Sequence, residues 1–127
     1  MRTASRIFRW AGIYGLVVLL PMFLLEARFG RDYPPPLNHA EFYYGFNALA
    51  LVWQLAFLVI ASDPVRFRPL MIVAVLEKLG WGLVAFGLAA MGRAVPAASL
   101  AFAAVDLGLG AAFLYARRRT PVEAARA

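Results

Sequence analysis

The sequence lacks cysteine altogether, and this absence removes several kinds of chemistry at once. Without a thiol there is no disulfide, no thiolate metal site, no redox relay and no cysteine nucleophile. Histidine occurs only once, as His39, so two histidines of one chain cannot hold a haem between them. The sequence also has no glycine-rich phosphate loop, catalytic triad or metalloprotease motif, and we predict no cofactor and no metal site.

Charge is scarce as well: 16% of the 127 residues are charged, whereas 63% are hydrophobic. Soluble domains have roughly 25% charged and 45–50% apolar residues, so this composition is typical of a membrane protein. The formal net charge of +6 comes from arginines at the ends of apolar segments. That placement favours membrane topology over phosphate binding, so we expect a lipid bilayer as partner and no nucleic acid.

Four apolar segments are long enough to cross a bilayer as helices, which takes about 20 residues each. We predict these spans at about 10–26, 42–61, 70–92 and 96–116. The first span follows three arginines, as a secretory signal would, but no small-x-small cleavage site comes after it. We therefore expect the segment to be retained, within a single all-α transmembrane domain covering 1–127.

The positive residues are unevenly divided between the two sides that four spans would create. Three arginines belong to the side of loop 27–41, namely Arg28, Arg31 and Arg93, and Lys78 lies inside a span. The other nine belong to the opposite side: Arg2, Arg6, Arg9, Arg66, Arg68, Arg117, Arg118, Arg119 and Arg126. The positive-inside rule then predicts an up-down-up-down four-helix bundle with both termini cytoplasmic and loop 27–41 outside. Such a bias is not expected of the very small multidrug exporters, because those proteins insert in both orientations, and it argues that this chain is not one of them.

The third span carries two adjacent ionisable residues near its middle, Glu77 and Lys78. A charge at that depth costs roughly 2.5–3.5 kcal/mol on insertion scales, so such residues are normally shielded and paired. A helix rises about 1.5 Å per residue, which places Gln54, Glu77 and Lys78 roughly 11–13 Å from the cytoplasmic boundary and Asp106 roughly 16 Å from it. We therefore predict a buried polar layer near the middle of the membrane.

Helical spacing indicates which other residues face this layer. In the second span, Tyr43 and Asn47 share a face with Gln54, and in the third Trp81 lies one turn beyond Glu77. Ser99 shares a face with Asp106. The candidate ligand- or ion-binding residues are therefore Tyr43, Asn47, Gln54, Glu77, Lys78, Trp81 and Asp106.

Side-chain direction suggests how these groups pair. Because side chains lean toward the N-terminus of their own helix, we expect a hydrogen bond between Glu77 and Gln54. Lys78 either reaches across to Asp106 or extends to the cytoplasmic headgroups.

Small residues at intervals of four favour close packing of helices. Ala104, Gly108 and Ala112 form such a ridge on the fourth span, and Ala11 with Gly15 form a shorter one on the first. We expect these ridges to pack against neighbouring spans, or, in an assembly subunit, the ridge on the fourth span to face another chain.

Three stretches resemble a group of small bacterial four-span membrane proteins of unassigned function. They are HAEFYYGFNALALVWQ, SDPVRFRPLMIVAVLEK and VDLGLG, and the likeness extends over most of the chain from Phe8 onward. The resemblance implies a four-helix membrane fold in a bacterial inner membrane, and it implies no activity and no site residue.

Three functions are compatible with these observations. The first is non-enzymatic: an accessory or assembly subunit of a homo-oligomer or larger membrane complex, or a bundle that binds a lipophilic small molecule. The second is a proton- or ion-coupled transport component that uses Glu77, Lys78 and Asp106. The third is an enzyme acting on a lipid-soluble substrate, since general acid–base chemistry needs only a positioned carboxyl group. The polar layer itself is a ligand site, a contact between protomers or simply part of helix packing.

Overall fold

The computed structural model describes residues 2–122, which form five helices and, within that range, no strand. The helices are α1 (Arg2–Met22), α2 (Glu26–Asp32), α3 (Ala40–Ser62), α4 (Leu70–Ala90) and α5 (Ala97–Arg119). Helices α1, α3, α4 and α5 are each long and apolar enough to cross a membrane. The all-helical fold with four long apolar helices is thus as predicted, and it suggests a multi-pass membrane protein. Arg126 lies outside the described residues.

Helix α1 begins well before the predicted start of the first span. No glycine or proline occurs before Gly12, and arginine is a good helix former, so the helix extends back to Arg2. The arginines of its first turns are exposed, while Ala4 and Phe8 are buried on another face. The N-terminal segment is therefore amphipathic and takes part in the protein interior.

The polar interval after the first span contains a short helix that the sequence analysis did not predict. Helix α1 ends at Met22, directly after Pro21, and the N–H of Leu24 donates to the Pro21 carbonyl at 2.9 Å. Helix α2 then occupies the first part of the segment predicted as loop 27–41.

Helices α1 and α3 pack tightly against each other. Gly12 and Gly15 let the backbones approach, because a Cβ atom on Gly12 would lie 3.0 Å from the Gln54 carbonyl oxygen and one on Gly15 would overlap the Gln54 side chain. At one end of the pair, Ser5 donates a hydrogen bond to the Ala61 carbonyl at 2.7 Å. The predicted contact of Ala11 and Gly15 with a neighbouring helix is confirmed, since both residues are buried.

Helices α4 and α5 form the second tight pair. A Cβ atom on Gly82 would lie 2.6 Å from the side chain of Leu107 and 3.1 Å from the carbonyl oxygen of Ala103. In the turn just before α4, the Arg68 side chain donates a hydrogen bond to the Thr120 carbonyl at 2.9 Å. This bond joins the α3–α4 turn to the residue that follows α5.

The small-residue ridge predicted on the fourth span does not pack inside the molecule. Ala104 and Gly108 are exposed, and a Cβ atom on Gly108 would meet nothing within 4 Å. Helix α5 instead buries Ala103 and Gly110, because these positions face α4. The predicted packing of Ala104 and Gly108 against another span of the same chain is therefore wrong, and contact of the ridge with another chain stays a prediction.

An aromatic core joins the two helix pairs. Phe8 of α1 stacks on Phe113 of α5 with ring centroids 4.2 Å apart, and Phe57 of α3 meets Phe113 edge-on at 4.9 Å. All three rings are fully buried. These large side chains pack closely against one another and fill this part of the interior.

Helices α3 and α4 contact each other at only a few positions, so the two tight pairs diverge along this side. Many large apolar side chains point outward from the long helices, among them Leu49, Val52, Leu76 and Leu83, each at least 60% exposed. Such an outer surface suits acyl chains better than water.

Candidate functional site

The half of the interior not filled by the aromatic core contains a cavity of about 630 Å³. This volume is within the range of pockets that bind drug-sized molecules, ~300–1,000 Å³. All five helices and the segment after α2 contribute to its walls. Its lining includes apolar and aromatic side chains on every side, namely Val18, Leu19, Met22, Phe29, Tyr33, Leu37, Phe42, Phe46, Ala50, Trp81 and Phe102.

The cavity brings together all seven candidate site residues of the sequence analysis. Three of them are on α3 and three on α4, and Asp106 is on α5. Ser99 also lines the wall, two helical turns before Asp106 on the same helix. The two carboxylates, Glu77 and Asp106, therefore face the same space and not opposite outer walls.

Lys78 is the centre of the charged cluster at one end of the cavity. Its Nζ atom lies 3.3 Å from Asp106 Oδ1, to which it donates a hydrogen bond, and 3.5 Å from Glu77 Oε2. The side chains of Lys78, Asp106 and Glu77 are 6%, 15% and 17% exposed. Lys78 is thus an interior residue that pairs with Asp106 and does not extend to headgroups.

Lys78 also separates the cavity from the aromatic core. Its ammonium group lies 5.2 Å from the centroid of the Phe57 ring, a distance at which a cation is attracted to the ring face. Together, Lys78 and Gln54 form the floor of the cavity, with the phenylalanine core beneath it.

Gln54 does not bond to Glu77 as the sequence analysis expected. Its side-chain amide donates to the Ala50 carbonyl one turn back at 2.8 Å, and its side chain occupies the space above Gly15. The expectation was wrong because Gly15 leaves room on the α1 side of Gln54, and the amide packs there. Glu77 instead forms an ion pair with Lys78.

Polar atoms on the cavity wall remain without hydrogen bonds among the described residues. Glu77 Oε2 and Gln54 Oε1 accept none, although Glu77 Oε2 forms an ion pair with Lys78 at 3.5 Å. The Asn47 Nδ2 group donates none, although it lies near the Tyr43 hydroxyl. Asn47 is 2% exposed. Because buried polar groups are nearly always hydrogen-bonded, these atoms need an explanation.

Aromatic side chains hold the opposite end and the side of the cavity. The Tyr43 hydroxyl donates to the Met22 carbonyl at the end of α1 at 2.7 Å, and Tyr44 donates to Glu26 at 2.7 Å. Trp81 packs against Phe46 with ring centroids 5.3 Å apart, and this pair bridges the gap between α3 and α4.

The sequence analysis missed several residues of the cavity wall. Phe102 is three residues from Ser99 and four from Asp106, so helical spacing alone could have identified it. Tyr14 and the residues of the segment after α2 gave no such signal, because their position depends on how α1 and α2 are packed. A search against protein-family models, curated proteins and solved structures finds no match to this chain.

Proposed function

We propose that this chain is a non-enzymatic membrane protein that binds a lipophilic small molecule with a polar head in the cavity. The observation that carries the proposal is an apolar cavity with the Glu77 carboxylate at one end, where Lys78 contacts it at 3.5 Å. A ligand head that donates to this carboxylate adds a hydrogen bond there, and the ligand body fills the apolar remainder.

The proposed setting is a bacterial inner membrane, with the four long helices in an up-down-up-down bundle and both termini in the cytoplasm. The distribution of arginines supports this orientation. In it, the cavity occupies the outer half of the bundle and the aromatic core the cytoplasmic half. A lipophilic molecule could reach the cavity from the outer leaflet between α3 and α4, where the helices contact each other little.

The shape of the interior favours binding over passage of an ion. Below the charged cluster, Phe8, Phe57 and Phe113 are fully buried and in mutual contact, which leaves no polar path to the other end of the helices. A transport component would need such a path from Glu77.

The proposal can be tested with Trp81 as the reporter. A parent variant, Trp10→Phe with Trp53→Phe, keeps Trp81 as its single tryptophan, and it is placed in nanodiscs of zwitterionic lipid. Titration with dodecanol, an uncharged amphiphile, is expected to change the Trp81 fluorescence in a saturable manner because the alkyl chain contacts the indole in the cavity wall.

Two variants distinguish binding of dodecanol in the cavity from its partitioning into the lipid. Ala50→Phe adds a ring to the cavity wall and should abolish the saturable change, whereas Ala48→Phe adds the same ring to an exposed position of α3 and should preserve it. A linear response to dodecanol, or the same response in both variants, would contradict a binding cavity.

A further inference from the structure

The proposed function does not specify the chemical class of the ligand. The charged side chains at the cavity floor indicate which class of head group the cavity accepts. Resting on that function, we infer that the cavity takes a long-chain amine in its protonated form, whose ammonium group donates a hydrogen bond to the Glu77 carboxylate.

The formal charges of the cluster do not balance. With both carboxyl groups ionised, Glu77 and Asp106 contribute two negative charges and Lys78 one positive charge, so the three groups sum to −1. The remaining ionisable group on the cavity wall, apart from tyrosines, is His39 near the opposite end. A monocationic ligand supplies the missing charge, whereas an anionic head would double the excess in a site with little water.

The hydrogen-bond pattern selects a donor. Asp106 Oδ1 already accepts a hydrogen bond from Lys78, whereas Glu77 contacts Lys78 at 3.5 Å as an ion pair and its carboxylate lines the cavity. A protonated amine offers N–H donors on a positive charge, and such charge-assisted hydrogen bonds are about twice as strong as neutral ones. A quaternary ammonium group carries the charge without the donor, and an alcohol carries a donor without the charge.

The walls around Glu77 suit a cation with an apolar body. Trp81 is one helical turn from Glu77, and Phe46 packs on it at 5.3 Å. Aromatic faces attract cations within about 6 Å, and they also bury alkyl groups well.

The length of the cavity indicates a single extended chain. On α3 the lining extends from Phe42 to Gln54, which spans about 18 Å of helix. With the amine at the floor, the alkyl chain lies along this wall toward Phe29, Tyr33 and Leu37. The ligand is therefore held with its charge deep and its tail near the segment after α2.

The test compares dodecylamine with dodecanol and dodecyltrimethylammonium, using the Trp81 reporter in zwitterionic nanodiscs. Dodecylamine is expected to bind about tenfold tighter than dodecanol, the least that one charge-assisted hydrogen bond contributes. Dodecyltrimethylammonium should fall between the two because it lacks the N–H donor.

Two variants assign the preference to Glu77. Glu77→Gln should weaken dodecylamine about tenfold and dodecanol much less, because the glutamine oxygen still accepts a hydrogen bond from the alcohol while the attraction between opposite charges is lost. The control is Glu41→Gln on α3. The Glu41 side chain is 70% exposed and does not line the cavity. This substitution should alter neither affinity.

The outcomes distinguish the two proposals. If dodecanol and dodecylamine both bind saturably with equal affinity, and Glu77→Gln changes neither, the amine assignment is wrong while the binding function stands. If no amphiphile binds saturably, both fail.

Discussion

Lys78 of α4 and Asp106 of α5 are joined by a hydrogen bond of 3.3 Å in the interior, with Lys78 only 5% exposed. Glu77, the neighbour of Lys78 in sequence, lies at 3.5 Å from the same ammonium group. One lysine thus serves two carboxylates, although residues 77 and 78 are about 100° apart on the helix. The long lysine stem makes this possible, so that the two carboxylates share one cation.

This arrangement predicts that the effect of Asp106→Asn changes sign with the residue at position 78. Lys78→Met leaves two buried carboxylates without a cation and should destabilise the protein by about 3–5 kcal/mol. In that variant, Asp106→Asn removes one unpaired charge and should restore stability. In the wild type, where Lys78 is present, the same substitution removes a hydrogen bond and should be destabilising.

Unfolding of the four proteins in mixed micelles measures this cycle. Additive effects, or changes of only about 0.6 kcal/mol as for ordinary polar contacts between membrane helices, would show that the cluster contributes only to helix packing.

Close approach of α4 and α5 predicts a contrast between two glycines of the same helix. Gly82→Ala places a methyl group 2.6 Å from the Leu107 side chain and 3.1 Å from a backbone carbonyl, and should destabilise the protein by about 1–3 kcal/mol. Gly80→Ala meets nothing within 4 Å and should be neutral or slightly stabilising, because alanine is the better helix former. Thermal unfolding of both variants checks the contrast, and equal losses would mean that α4 is rotated from the position described.

The absence of cysteine allows a direct test of the proposed orientation. Single cysteines at Asn38 and Ala94 should react with an impermeant maleimide in intact cells. Single cysteines at Thr3 and Ser62 should react only after permeabilisation. All four positions are exposed, so burial does not protect them. The opposite pattern would mean that the bundle has the inverse orientation. Labelling of all four positions in intact cells would indicate that the protein inserts in both orientations.

Much of the fold follows from composition and spacing. Four long apolar segments separated by turns predict four helices, and a rise of about 1.5 Å per residue predicts that Gln54, Glu77, Lys78 and Asp106 lie at similar heights. These four residues line one cavity. Height along a helix can be counted from the sequence, so this part of the prediction is robust.

Rotation about the helix axis is harder to predict because it depends on which side chains interlock. Helix α5 has small residues on two faces, and spacing alone does not distinguish Ala104 with Gly108 from Ala103 with Gly110. Contact of Leu107 with Gly82 decides between them. For the same reason the partner of Gln54 was misjudged, since the space above Gly15 on α1 determines where the amide lies.

The cavity itself could not be predicted from the sequence. It exists because α1 pairs with α3 and α4 pairs with α5, while α3 and α4 diverge. Helix α2 and the following segment then contribute Phe29, Tyr33 and Leu37 to one end. Such a space is a property of the assembled helices and has no local pattern.

The most direct measurement is an experimental structure of the protein extracted from its native membrane without exchange of bound lipids. We expect elongated density along Phe42, Phe46 and Trp81, with one end within hydrogen-bonding distance of the Glu77 carboxylate. A cavity collapsed onto itself, with the Glu77 carboxylate enclosed by other side chains of the protein, would contradict the account.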